Sequence, residues 1–210
     1  MIYTDLIYDF DGTIADSYPI FTESFLCLIK EKYGITADYD EVMGHLKVSV
    51  SAASKAFGIV GDEAKAFHEV FRDHRDDLML EKGRPMDGAE EILRFVIEHG
   101  GRNYIYTHSP NYIWEFLEKW DLRKYFVGGV TADFGFPAKP APNGLNYICE
   151  HYALNKSKTL MIGDRSIDVD AGKNAGVKGV LLDPDGFYRG YSADYTVTHL
   201  TQISAFLTEN

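Results

Sequence analysis

The sequence predicts an α/β protein built on a parallel sheet, with a helical segment inserted after the first strand. Three observations carry that expectation. Short β-prone apolar runs alternate with amphipathic helical patterns along much of the chain, the arrangement that covers a parallel sheet with helices on both faces. The interval between the first two strands is far too long for one crossover. Acidic or hydroxyl-bearing residues follow directly on three strands, at the sheet edge where open α/β folds bind ligands.

The first expected strand is 2–8, IYTDLIY, and the second is 102–106, RNYIY. Both are short, β-prone and mostly apolar. Further strands are expected at 126–131, 158–162 and 178–182, with an edge strand at 195–198. Helical patterns separate them. Residues 90–99 place Ile92, Leu93, Val96 and Ile97 on one face before Gly100, a usual helix stop. Residues 111–120 carry Tyr112, Ile113, Phe116, Leu117 and Trp120. Residues 143–153 follow Pro142, which suits a first helical position. Residues 168–175 end at Gly176.

Asp9 and Thr107 lie 98 positions apart, whereas a βαβ unit needs roughly 30 residues or a little more. Residues 15–82 are therefore read as a helical insert with its own small core, and 1–14 with 83–210 as the sheet domain. Phe21, Phe25 and Ile29 recur every four residues until Gly34. Asp38 and Glu41 have capping-box spacing. Phe67, Val70, Phe71, His74 and Leu78 mark a long last helix, and 44–48 read as a loop between helices. Two connections to the sheet domain, near 16–17 and 83–85, would permit hinge closure.

Composition narrows the function. A formal net charge of −11, without any run of Lys or Arg, argues against nucleic acid or an anionic membrane as partner. An anionic substrate would need a metal ion or a focused positive site. Cys27 and Cys149 sit in apolar helical patterns without CxxC or Cys/His spacing, so they are expected to be small core residues. No apolar run approaches the ~20 residues of a membrane helix. Residues 1–8 run as a strand straight into a motif and do not read as a leader. A cytoplasmic location is expected.

The sharpest chemical signal is Asp9-Phe10-Asp11-Gly12-Thr13 after the first strand. Side chains at i and i+2 can turn the same way where a strand breaks, and Gly12 frees the backbone for a tight turn. One carboxylate can attack phosphorus; the other can protonate the leaving oxygen and then deprotonate water. Alone, an Asp-Gly pair is also an ordinary turn. Gly163-Asp164-Arg165-Ser166-Ile167-Asp168 supplies a second acidic turn. With Asp9 it can make an oxygen-rich site of the kind Mg²⁺ prefers, although Asp168 would equally serve as a helix N-cap. Lys139, before Pro140 in the polar loop 136–143, could offset crowded carboxylates and a phosphate. Thr107-His108-Ser109 offers hydroxyls and amides for phosphoryl oxygens. In isolation, these last two are an ordinary surface lysine and an ordinary loop start.

In the order DFDGTIADS, YIYTHS, AKPAPNGL and GDRSIDVDAG, these segments resemble the four motifs of the haloacid dehalogenase superfamily. The resemblance spans the whole chain. It implies a Rossmann-like core, an α-helical cap in the insert, Mg²⁺ and a phospho-aspartyl intermediate. Position by position, it implies Asp9 as nucleophile and metal ligand, and Asp11 as acid/base with its backbone oxygen on the metal. Thr107, with His108 beside it, would bind phosphate. Lys139 would steady Asp9 and the phosphate, Asp164 would bind the metal, and Asp168 would meet it directly or through water. Halide-removing and phosphonate-cleaving members lack an acid at the Asp11 position, so Asp11 argues against both. Ser109 stands where the similar THR pattern has an arginine.

The expected activity is therefore a Mg²⁺-dependent phosphatase of a small phosphorylated metabolite, of phosphoglycolate or sugar-phosphate type. A mutase of the β-phosphoglucomutase type shares the same core residues and stays open. A catalytically silent binding protein is a third reading, against which the intact set Asp9, Asp11, Thr107, Lys139 and Asp164 argues. His45 and Lys47 are candidates for substrate choice from the insert; a solvated loop is their alternative role.

Overall fold

The computed structural model describes residues 1–208. The chain forms two compact units, Asp16–Arg84 and Met1–Ala15 with the chain from Pro85 onward.

The first unit is helical: α1 Tyr18–Tyr33, α2 Tyr39–Val48, α3 Val50–Ala56 and α4 Gly61–Lys82. The four-residue spacing of Phe21, Phe25 and Ile29 buries all three on one face of α1. Gly34 ends that helix at φ 67°, a left-handed conformation that glycine adopts without penalty. Phe25 lies 5.2 Å from Phe67 and 5.8 Å from Phe71, ring centre to ring centre. Two polar pairs tie α4 to its neighbours: His74 Nδ1 with Ser24 Oγ of α1, and His68 Nε2 with Ser54 Oγ of α3, both at 2.8 Å.

Residues 44–48 are not the expected loop. They form the last turns of α2, because Val42 and Leu46, four apart, are both buried, and that packing outweighs the helix cost of Gly44. Asp38 starts α2 by accepting the amides of Asp40 and Glu41. Ser49 ends it in an extended conformation and caps α3 by accepting the Ala52 amide at 2.9 Å. The short helix α3 had no signal strong enough to predict it.

The second unit holds a sheet of six parallel strands: β1 Asp5–Tyr8, β2 Arg102–Tyr106, β3 Phe126–Val130, β4 Thr159–Gly163, β5 Lys178–Leu182 and β6 Tyr195–Val197. Their order is β3-β2-β1-β4-β5-β6, a Rossmann-like α/β core. All six expected strands form, with β1 shorter than 2–8. The chain steps outward from β1 to β3, then returns to place β4 on the other side of β1. That reversal opens a crevice at the carboxyl ends of β1 and β4. Tyr8 pairs with both Ile105 and Ile162, so the strand ends are level and the residues that follow them converge.

Helices α5 Ala89–Glu98, α6 Ile113–Lys119, α7 Asn143–His151 and α8 Ser166–Ala175 flank the sheet. On one face Ile7, Tyr104, Tyr106, Val130 and Met161 form a core with Leu145, Ile148 and Cys149 of α7 and Ala171 and Ala175 of α8. On α5, the Leu93 carbonyl accepts a 3.0 Å hydrogen bond from Asn103 Nδ2 of β2. Helix α8 begins two residues before the expected start, which puts Asp168 in its first turn.

The Phe25 ring cluster carries the helical unit. Phe25→Ala is expected to lower that unit's stability by about 3–5 kcal/mol, the range for removing a buried aromatic ring. Chemical denaturation followed by far-ultraviolet circular dichroism checks it, and an unchanged midpoint contradicts it.

Candidate active site

The loop after β1 is built around Phe10. Its ring is buried and lies nearly parallel to Phe116 and Trp120, with centroids 6.2 and 6.0 Å away. The Phe10 carbonyl accepts the amides of Ile14 and Ala15 at 2.9 and 2.8 Å. Gly12, at φ 72°, makes the tight turn that this bonding requires. Asp9 extends the β1–β4 ladder by one bond, its amide donating to Ile162 O at 2.8 Å. Asp9 and Asp11 therefore flank an anchored residue in the chain.

Lys139 joins the acidic groups. Its ammonium lies 3.0 Å from Asp9 Oδ1 and 2.7 Å from Asp168 Oδ1, over the ring of Tyr106 at 4.8 Å. The lysine is 5% exposed and Asp168 fully buried. Burial disfavours the ammonium, but Asp168 and Asp9 outweigh it, and the Lys139 pKa rises. Burial also pushes the Asp168 carboxyl up, to about 6, against the pull of Lys139. Its second oxygen accepts the Arg165 amide at 3.1 Å, which favours the ionised form. Lys139 is thus a cation between the carboxyl groups of Asp9 and Asp168.

Gly163 makes room for this arrangement. A Cβ there would lie 2.3 Å from Asp168 Cγ, far inside contact distance. Asp164, next along, accepts from Thr13 Oγ1 at 3.2 Å. One carboxylate oxygen each from Asp9, Asp164 and Asp168 falls within 4.8 Å of the others. Three hard oxygen donors at a sheet edge fit a small divalent cation. Asp9 uses Oδ1 for both Lys139 and the Phe10 amide, which leaves Oδ2 as the oxygen that can turn to an ion or an electrophile.

The segment after β2 braces the other side. The Thr107 amide donates to Val130 O at 3.0 Å, and Thr107 Oγ1 accepts the Ser109 amide at 3.0 Å. Ser109 Oγ donates to Asp11 Oδ2 at 2.6 Å. His108 Nε2 accepts the Lys139 amide at 2.8 Å, which assigns the ring proton to Nδ1. His108 is exposed overall, yet burial of part of the ring and then the Lys139 charge push its pKa down. The geometry agrees: a proton on Nε2 would face the amide donor of Lys139.

Of the residues singled out from sequence, Asp9, Asp164, Asp168 and Lys139 come together, with Asp11 and Thr107 linked to each other through Ser109. His108 is present, but its Nε2 is committed to the Lys139 amide. His45 and Lys47 belong to the helical unit, where Lys47 Nζ sits 5.9 Å over the Tyr18 ring and His45 lies edge-on to Phe57 at 6.2 Å. Sequence reasoning gave no role to the side chain of Thr13 or to Gly163, and it offered the Ser109 hydroxyl to phosphoryl oxygens rather than to Asp11. Each falls inside a motif already noticed, so position was a signal, but their partners are distant in sequence.

The chain matches the family model described as haloacid dehalogenase-like hydrolase over residues 6–182. It is 24% identical to pyrophosphatase PpaX of Listeria monocytogenes, over 98% of this chain and 97% of that one. It is 25% identical to the phosphoglycolate phosphatase of Vibrio parahaemolyticus, over 81% and 79% of the two chains. A solved hydrolase from Streptococcus pneumoniae TIGR4 is 30% identical, with a TM-score of 0.69 over 98% of this chain and 100% of that one.

The close fit of Gly163 against Asp168 sets an expectation. Gly163→Ala forces the carboxyl out of a place fixed by Lys139 and the Arg165 amide, at about 1–3 kcal/mol, the usual range for overpacking. Denaturant midpoints of the two proteins test it; equal midpoints would mean that Asp168 relaxes freely.

Proposed function

The chain belongs to the haloacid dehalogenase-like hydrolase family, and from that premise we propose that it is a Mg²⁺-dependent phosphatase of a small phosphorylated metabolite, working through a phospho-aspartate on Asp9. The observation that carries this reading is the Lys139 bridge. It fixes Asp9 through Oδ1 at 3.0 Å, so that the other oxygen serves as nucleophile.

Asp9 Oδ2 attacks phosphorus, and the bond from phosphorus to the ester oxygen breaks. Asp11, protonated at the outset, gives its proton to that leaving oxygen. Asp11 then takes a proton from water as the water oxygen attacks phosphorus. The acyl-phosphate bond breaks, inorganic phosphate leaves and Asp9 is restored. Thr107 and the Lys139 ammonium hold phosphoryl oxygens, the latter adding positive charge where the transition state gathers negative charge. Asp9, the Asp11 backbone oxygen and Asp164 would hold Mg²⁺, which when bound offsets the charge of the phosphoryl oxygens and of the carboxylates around them. Asp168 has both oxygens engaged by Lys139 and the Arg165 amide, so its direct part is to orient Lys139, with any contact to the ion passing through water. His108 acts through its bond to the Lys139 amide.

The substrate is a phosphoryl group on a small anionic or polyhydroxylated body, the class to which pyrophosphate, phosphoglycolate and sugar phosphates belong. Relatives named for pyrophosphate and phosphoglycolate support that class. Within it, discrimination requires differential contacts to the non-reacting part of the substrate. We assign these to His45 and Lys47; Lys47 supplies a cation in a chain of net charge −11, and a positive group attracts an anionic substrate body.

A phosphate-release screen over phosphorylated metabolites, with Mg²⁺ and with chelator, identifies the preferred substrate. Asp9→Asn is expected to abolish Mg²⁺-dependent release while leaving the circular dichroism spectrum intact. A folded Asp9→Asn protein with near-normal turnover rules out the phospho-aspartate route. Lys47→Ala is expected to lower kcat/KM about tenfold on the preferred anionic substrate, a loss of ~1.4 kcal/mol, and much less on a neutral aryl ester. Equal losses on the two substrates return Lys47 to a role in folding.

A further inference from the structure

Ser109 occupies the place where the family pattern resembled by this chain has an arginine, and its side chain reaches neither Lys139 nor the acidic cluster that Lys139 joins. Its hydroxyl instead donates to Asp11 Oδ2 at 2.6 Å, a length typical of a hydrogen bond from a hydroxyl to a carboxylate. The serine is poorly placed to move. It is 6% exposed. Its amide donates to Thr107 Oγ1 at 3.0 Å, and its carbonyl accepts the Ala132 amide at 3.1 Å. Asp11, by contrast, is half-buried in the turn before Gly12.

We propose that Ser109 is the positioning residue for Asp11, holding one carboxyl oxygen so that the other meets the leaving oxygen of the substrate. The assignment rests on the acid/base role given to Asp11 above and adds the group that aims it. The role differs from that of Thr107 and Lys139, which hold the phosphoryl group whatever it is attached to. Ser109 matters in proportion to how much proton the leaving group needs. A proton donor turned away by a fraction of an ångström costs little when the leaving group departs unaided and much when it does not.

The probes are para-nitrophenyl phosphate, whose leaving phenolate is stable, and phenyl phosphate, whose leaving group needs more proton transfer. For each, kcat/KM reports the steps up to release of the phenol. Ser109→Ala is expected to lower kcat/KM on phenyl phosphate about tenfold, and on para-nitrophenyl phosphate by less than about twofold. The ratio of the two values does not depend on how much of a preparation is folded. Ser109→Thr keeps the hydroxyl and is expected to keep the wild-type ratio. Adding Ser109→Ala to Asp11→Asn is expected to change the ratio no further, since the group being aimed is gone. Equal losses on both esters overturn the proposal, because Ser109 would then hold the phosphoryl group or the fold. Failure of Ser109→Thr to keep the ratio, or a further shift in the double variant, overturns it as well. Should Asp11→Asn show the leaving-group contrast and Ser109→Ala not, the Ser109 assignment falls and the acid/base reading stands. Should Asp11→Asn itself show no contrast, or wild-type protein release neither phenol, both fall together.

Discussion

Lys139 lies 3.0 Å from one carboxylate and 2.7 Å from another in a buried setting, and the arrangement at the sheet edge depends on that bridge. Its charge stands among carboxylate oxygens of Asp9, Asp164 and Asp168 that lie within 4.8 Å of one another, and it offsets their mutual repulsion. The bridge is expensive to assemble, since an ammonium and two carboxylates all leave water. Local features offset that expense: the Arg165 amide on Asp168, the ring of Tyr106 beneath the ammonium, and the missing side chain at Gly163. His108 then fixes the Lys139 main chain from the neighbouring strand end.

The same edge separates holding from aiming. The bridge fixes Asp9, and the Thr107–Ser109 segment meets Asp11. Phe10, between the two aspartates in sequence, stacks on Phe116 of α6 and on Trp120, so apolar packing anchors the turn that carries both acids. Two aspartates two residues apart are therefore held by different segments, Asp9 by Lys139 and Asp11 by Ser109. Each is locked by partners about a hundred residues or more away in sequence, which is how a rigid parallel sheet pre-organises a site.

Much of the fold was legible because its signals are local. Alternating β-prone runs and helical stripes predicted six strands, and all six form. The excess length between the first two strands predicted a helical insert there, and four helices form it, ahead of α5. The segment 44–48 was misread because Gly44 is a poor helix residue taken alone; the buried pair Val42 and Leu46 decides its conformation. Helix α3 was missed because seven residues give a weak period. The start of α8 was placed late because Asp168 reads as a cap, while the structure uses it in the first turn, where its carboxylate reaches back to the Arg165 amide.

By itself the sequence determined which chemistry the sheet edge could carry: two aspartates after one strand, an acid pair after another, a lysine before a proline, and a hydroxyl after a third strand. Residue type and chain order are local properties, and motifs expose them. Only the tertiary structure decided the pairings. It put Lys139 on Asp168 as well as Asp9, gave His108 to the Lys139 amide, and joined Ser109 to Asp11. Such contacts depend on strand order and register, which are fixed by packing the whole sheet, and a shift of one residue in β1 would redirect the contacts of both aspartates that follow it.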